Sequence, residues 1–453
     1  MTHPTKPLRR SRVPAGRIER LARFGWLAGE VALGAVAEGV RRVVGSQAAE
    51  SLMLTQANAQ RLAKRLSRLR GAAMKVGQML SLQGADLLPP EFTQALAVLR
   101  AEADAMPHSQ LRRMLGQAYG TGWERRLPDF DMIPIAAASI GEVHRATADD
   151  DRQLALKIQY PGVARSIDND VQNVATVLRL TRLLPRDADF SELLAEAKRQ
   201  LRRETDYFVE AEFQRRYRAL VADEPGFVVP RVHQDFTTAR ILAMDYIDGL
   251  PLETLCEDSY PQALRDRIGT LLYRLVLREL CEFHFVQSDP NFANYLFLPA
   301  SEQIALLDFG GSRDVPPRFA HGYARAFEAG ADGDRNALRE ALEDIGFLTA
   351  SASDQLRAAF VDLFFIGCEP FRHRGAYDFA ASKIPVRARE VGAELAFHSG
   401  GFRVPPPDAV FLNRKLAGTF LLCARLRARI DVRALLRTAL DHRAERGDTG
   451  IEG

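Results

Sequence analysis

One interval constrains this chain more than any other feature. Asp289 and Asn294 lie in Ser288-Asp289-Pro290-Asn291-Phe292-Ala293-Asn294, and Asp308 follows the apolar pair Leu306-Leu307 with Phe309-Gly310 behind it. The stretch from Asn294 to Asp308 just fits one short hairpin, Tyr295 to Leu298 and Ile304 to Leu307. A polar loop, a hairpin and a strand ending in Asp-Phe-Gly must therefore follow one another without interruption.

Phosphoryl transfer needs phosphates held in place, metal ions bridging them and a group that orients or deprotonates the acceptor. Four features stand in the right order for it. Leu154-Ala155-Leu156-Lys157 lies in a predicted strand and matches V-A-I-K, whose lysine touches the α/β-phosphates. Taken alone, a surface lysine on an edge strand is the commoner reading, because V-A-I-K-like strings are frequent. A long helix predicted over Phe190 to Leu220 carries the stripe Phe190, Leu194, Ala197, Leu201 and Phe208, with Glu204 on it. A buried carboxylate is costly unless paired, and an ion pair with Lys157 would relieve that cost. Asp206 and Glu210, at i, i+4 spacing on an adjacent face, are further candidates, and the choice stays open. Asp289 and Asn294 keep the interval of H-R-D-x-x-x-x-N, in which the aspartate takes the acceptor's proton or orients it and the asparagine binds metal. Asp308 is the magnesium-binding aspartate of D-F-G. Together Lys157, Asp289, Asn294 and Asp308 predict a site for ATP with Mg2+.

Other motifs are missing. No G-x-G-x-x-G covers the phosphates; Ala136-Ala137-Ala138-Ser139-Ile140-Gly141 stands in its place. Alanine disfavours positive φ, so this loop should be stiffer than a glycine loop. Gln287-Ser288 replaces His-Arg before Asp289. No A-P-E follows Asp308, and Gly311 to Pro316 runs quickly into helix. The platform that docks a peptide substrate is therefore expected to be absent.

At 453 residues the chain suits about two or three units. The fold class is α+β. Residues 1–50 read as a basic tail and amphipathic helix, and 51–128 as a helical extension in which Leu62, Leu66, Leu69, Ala73 and Val76 recur at helical spacing. Residues 129–249 read as a small mixed sheet with helices. Its strands are Met132 to Ala146, Gln153 to Tyr160, Val228 to His233 and Arg240 to Tyr246, with a turn at Asp149–Arg152. Asp248-Gly249 is a natural hinge. Residues 250–453 read as a helical lobe, with helices over Pro261 to Phe285, Arg318 to Ala329, Arg335 to Glu343, Ala352 to Gly367 and Leu412 to Arg427.

A composition of 47% hydrophobic and 26% charged residues is globular, and a net charge of +3 does not argue for nucleic acid. The four cysteines are scattered and read as structural thiols. Phe24 to Val40 is apolar but interrupted by Glu30 and Glu38, each costing about 2.5–3.5 kcal/mol at mid-bilayer, so no spanning helix is expected. The Gly25/Gly29 seam suits a surface helix packed on its own protein, and equally one lying on a membrane. Only seven of the 61 basic residues are lysine. Where arginine is the default cation, a retained lysine marks a place that wants a compact ammonium.

These residues resemble the UbiB-type, AarF-domain atypical kinases, closest to the subgroup tied to coenzyme Q synthesis in mitochondria and bacteria; this chain looks like a bacterial member. The strongest mark is Lys75-Val76-Gly77-Gln78, the family's K-x-G-Q, between Arg70-Gly71-Ala72-Ala73-Met74 and Leu87-Leu88-Pro89-Pro90-Glu91-Phe92. Others are the alanine loop, Glu204-Thr205-Asp206 as E-x-D, Gln287 to Asn294, Glu369-Pro370-Phe371 and Arg414-Lys415-Leu416-Ala417-Gly418. The resemblance implies an atypical kinase-like two-lobe fold whose N-terminal helical extension covers the site through Lys75 and Gln78. It implies nucleotide binding by Ala136, Ala137, Ala138, Ser139, Lys157, Asp245 and Tyr246, with Glu204, Asp206 and Glu210 coupling extension to site. It implies an unorthodox ATPase or small-molecule or lipid kinase supporting ubiquinone biosynthesis, or a nucleotide-binding scaffold for that pathway. Its expected partners are quinone-biosynthesis proteins and isoprenoid lipid intermediates. The protein is expected in the cytoplasm, with peripheral contact at the inner face of the cell membrane and a homodimer both open. Two departures stand out: Glu142 where the family has glutamine, and Asp245 where the hinge strand has glutamate.

Overall fold

A computed structural model describes residues 105–138, 140–180, 191–348, 353–398 and 407–445. The basic tail, the amphipathic helix, the K-x-G-Q segment with Lys75 and Gln78, and Ser139 lie outside the described residues. The chain forms two compact units. One takes the described residues up to Arg215 together with Arg231–Ile247; the other takes Arg216–Pro230 and those from Asp248 onward.

The first unit is built on a sheet of β1 (Asp129–Phe130), β2 (Ala136–Ala137), β3 (Gly141–Thr147), β4 (Gln153–Gln159) and β6 (Ile241–Asp245). Its order is β1-β3-β4-β6, with β2 also paired to β3 and every pairing antiparallel. β4 is central. Leu154, Leu156 and Ile158 alternate along it, each fully buried in a core with Leu111, Leu115, Trp123 and Phe236. The period of two places Lys157 on the opposite face. The β3–β4 turn falls where expected, closed by the Asp151 N–H to Ala148 O, with Asp151 at φ 66°. Helices α1 (His108–Tyr119), α2 (Val163–Leu180) and α3 (Ser191–Glu204) complete the unit with the first part of α4 (Tyr207–Leu220).

The single helix expected over Phe190 to Leu220 is in fact α3 and α4. The chain breaks at Thr205-Asp206, and the Asp206 carboxylate accepts from the Phe208 N–H, a cap that starts α4. Capping shifts the phase, so Phe208 is 54% exposed, not on a buried stripe.

In the second unit, β5 (Phe227–Val228), β7 (Leu250–Pro251), β9 (Tyr295–Leu298) and β10 (Gln303–Leu306) form a sheet ordered β5-β10-β9-β7. The β9–β10 hairpin is the predicted one, with Tyr295 opposite Leu306 and Leu298 opposite Gln303. β8 (Phe285–Gln287) pairs antiparallel with β11 (Ser312–Asp314). Around them lie α5 (Gln262–Arg278), α6 (Pro317–Asp332), α7 (Arg335–Asp344), α8 (Asp354–Gly367), α9 (Glu369–Arg372), α10 (Ile384–His398), α11 (Pro407–Leu426) and α12 (Val432–Glu445). α11 and α12 both pack on α5. The helix expected to run to Phe285 stops sooner. α5 passes into a π turn over Glu279–Phe283, and His284 at φ 47° ends it, which frees Phe285 to begin β8.

Candidate functional site

In the first unit, β4 and α4 settle the partner of Lys157. Its Nζ donates to Glu210 Oε1 at 2.5 Å, with the two side chains 7% and 2% exposed. The ammonium also lies 5.5 Å from the centre of the buried Tyr207 ring. Glu210 falls on the inner face of α4 because Asp206 sets where that helix begins. Glu204 is buried at the end of α3, and Asp206 is exposed and serves as the cap. A Gln159 side-chain N–H donates to Thr205 O at 3.0 Å, tying β4 to the break.

The alanine loop is a tight return between β2 and β3. Ala136 and Ala137 pair with Val143 and Glu142, and the Ala138 N–H donates to Gly141 O at 2.9 Å. Gly141 is required by contact: a Cβ there would lie 2.3 Å from Ile158 O. Glu142 is turned away from the loop's exposed edge. It is 1% exposed, accepts from the Met106 N–H at 2.8 Å and stands 2.9 Å from His144 Nε2. A carboxylate added beside phosphates would weaken anion binding unless it is turned away, and here both its oxygens face inward.

The Asp245 carboxylate is also committed. It accepts from the Arg231 N–H at 2.8 Å and from His233 Nε2 at 2.7 Å, while His233 Nδ1 accepts from Arg152. Tyr246 donates its N–H to Gln153 O, and the Arg145 guanidinium lies over its ring.

In the second unit, hydrogen bonds shape the loop after β8. The Asp289 carbonyl accepts from the Asn291 N–H and from Asn294 Nδ2, both at 2.9 Å. Spending Nδ2 this way leaves Oδ1 as the atom Asn294 can offer a cation. Asn294 O accepts from the Leu307 N–H, which draws the loop to the end of the hairpin just before Asp308. Asp308 Oδ1 accepts from the Gly310 N–H at 3.0 Å. Phe309 is fully buried, its ring 5.0 Å from that of Tyr217. Asn294 and Asp308 offer an amide oxygen and a carboxylate, hard donors suited to magnesium that keeps water and phosphate oxygens as its other ligands.

Gln287 and Ser288, in place of His-Arg, carry their own bonds. Gln287 Nε2 donates to Asp308 O at 3.0 Å, and Ser288 Oγ to Gly311 O at 2.6 Å. From Gly311 the chain enters β11 and then α6, as the missing A-P-E suggested.

Residues 98–342 match the ABC1 atypical kinase-like domain. The chain belongs to the ABC1 atypical kinase-like family. Among its relatives, the mitochondrial atypical kinase COQ8B of Rattus norvegicus is 41% identical, over 94% of this chain and 81% of that protein. The mitochondrial atypical kinase COQ8 of Saccharomyces cerevisiae is 35% identical, over 93% and 84%. The solved structure of Rv3197 with erythromycin, from Mycobacterium tuberculosis, superposes with a TM-score of 0.59 at 25% identity, over 84% of this chain and 95% of that one. The resemblance read from the motifs is borne out, and with it the α+β kinase-like fold.

Two further side chains reach the candidate loop around Asp289. Arg414 NH2 stands 2.5 Å from Asp289 Oδ1, and Lys415 Nζ stands 2.8 Å from Glu279 Oε2. Both had been noted only as a distal match. The scarcity of lysine was the signal for Lys415; nothing distinguishes Arg414 among so many arginines.

Proposed function

We propose that this chain is a magnesium-dependent ATPase, or a small-molecule or lipid kinase, that supports ubiquinone biosynthesis. The observation that carries the reading is the loop from Asp289 to Asn294, closed by its own hydrogen bonds and joined through Asn294 O to Leu307, directly before Asp308. Lys157, paired with Glu210, would touch the α/β-phosphates. Asn294 and Asp308 would hold magnesium, which neutralises charge on the phosphate oxygens. Asp289 would orient the acceptor or take its proton. Ala136, Ala137, Ala138 and Ser139 would border the nucleotide, with the backbone near Asp245 and Tyr246. Lys75 and Gln78 would cover the site.

The test has two parts. Purified protein is assayed for ATP turnover with and without magnesium and anionic lipid, and quinones are profiled in a deletion strain complemented with wild type or Asp308→Asn. Turnover that needs magnesium, and rescue lost with Asp308→Asn, are expected. No turnover under any condition refutes the reading.

A second reading, a nucleotide-binding scaffold for a quinone-biosynthesis complex, draws on the Lys75 segment that would cover the site. Full rescue of quinone production by Asp289→Asn would favour it. Among the described residues no helix is long and apolar enough to cross a membrane. Peripheral contact at the inner face of the cell membrane, isoprenoid lipid intermediates and a homodimer stay within the proposal.

A further inference from the structure

Gln287-Ser288 stands before Asp289 in place of His-Arg, and α11 braces this loop from the other side of the chain. Arg414 and Gly418 are one turn apart on one face of this helix, with Lys415 beside them. Arg414 NH2 meets Asp289 Oδ1 at 2.5 Å, the guanidinium 7% and the carboxylate 21% exposed. Lys415 Nζ reaches Glu279 Oε2 at 2.8 Å and Gln287 Oε1 at 3.3 Å. Glu279 in turn accepts from the Tyr217 hydroxyl and the Gln287 N–H, both at 2.8 Å. Gly418 lies against Pro290, where a Cβ would come within 2.2 Å of the ring. One helix thus holds the strand before Asp289, the side chain of Asp289 and the residue after it.

Stability does not account for Arg414. A buried ion pair adds little beyond an apolar pair of the same volume. Its Nε is buried with no acceptor among the described residues, which costs desolvation without return. What the guanidinium does for the Asp289 carboxylate is then the more informative role.

We propose that Arg414 is the positioning residue of the catalytic loop, holding the Asp289 carboxylate in the one rotamer that serves the turnover step. This inference rests on the magnesium–ATP reading above. Arg414 acts through Asp289 and has no part in holding the nucleotide.

The full chain is compared as wild type, Arg414→Ala, Arg414→Lys and Asp308→Asn, for magnesium-dependent ATP turnover and for equilibrium affinity for magnesium–ATP. Arg414→Ala should lower kcat by about 10²-fold, the scale of a misplaced catalytic group, with nucleotide affinity unchanged. Arg414→Lys should fall between it and wild type, because it keeps the charge without the fork. Guanidinium ion, well below denaturing concentrations, should raise turnover by Arg414→Ala and not by wild type. Arg414→Met, which keeps the apolar stem, replaces the alanine variant should that fail to fold. An active wild type with unimpaired Arg414 variants overturns the inference alone. A loss confined to KM, without guanidinium rescue, does the same. A wild type that shows no turnover overturns the nucleotide reading and this inference together.

Discussion

Lys157 Nζ and Glu210 Oε1 meet at 2.5 Å between β4 and α4, both nearly excluded from water. The ion pair offsets much of what it costs to bury each charge. Removing one partner of such a pair typically costs about 3–5 kcal/mol. Glu210→Ala should therefore destabilise the protein strongly in urea denaturation, as should Lys157→Met. Lys157→Met with Glu210→Leu should recover most of that stability and still fail to bind magnesium–ATP. Recovery of both would detach the pair from nucleotide binding.

Glu142 supports a prediction opposite to the one its position first suggests. Its carboxylate faces the Met106 N–H and His144, not the outer edge of the alanine loop. Glu142→Gln should leave magnesium–ATP affinity unchanged and lower stability by about 1–3 kcal/mol, the cost of weakening buried charge-assisted hydrogen bonds. Isothermal titration and thermal unfolding separate the two effects. Markedly tighter nucleotide binding would show that the carboxylate acts on the phosphates after all.

How much of this was legible depends on the range over which each feature is determined. The β9–β10 hairpin and the placement of Asp308 at its end follow from local alternation and from an interval too short for anything else, and both are seen. The partner of Lys157 was not legible, because it turns on Asp206. Its carboxylate is one of three candidates by spacing, but its side chain caps α4. An aspartate ahead of a new apolar run is a start signal, and read so it would have broken the long helix and moved attention to Glu210. The grip of Arg414 on Asp289 spans 125 residues, and no local pattern encodes it. Lys415 was within reach, because lysine is scarce in this chain and each retained one is conspicuous.

The thiols give a direct check on the packing of the second unit. Burial pushes Cys281 and Cys368 up to about 12 and raises Cys423 further. Cys256 is only partly buried and is also raised, again chiefly by burial. At pH 8 these thiols are protonated and poor nucleophiles. In native protein an alkylating reagent should modify Cys256 first and slowly, and all four should react in denaturant. Rapid native labelling of Cys281, Cys368 or Cys423, followed by mass spectrometry, would contradict the packing of α5, α9 and α11.

Arg152 sets a pH dependence in the first unit. Its guanidinium donates to Asp235 Oδ2 at 2.6 Å, and this hydrogen bond is the main cause holding the Asp235 carboxyl below the usual carboxylate range. Asp150 is lowered in the same way. A carboxyl with a depressed pKa binds its proton less readily folded than unfolded. Its stabilisation is therefore full above the unfolded value of about 4 and is lost as the pH falls through the lower folded value. Asp235 is 48% exposed and Arg152 34%, so solvent screening limits the contribution to about 1 kcal/mol or less. Asp235→Asn should thus be slightly less stable than wild type at pH 7, with the difference shrinking below about pH 4 as the wild-type carboxyl takes up its proton. Urea midpoints measured from pH 7 to pH 3 check this, and a difference that stays constant or grows with acidity would assign the stability to packing around Phe236 instead of to the charge.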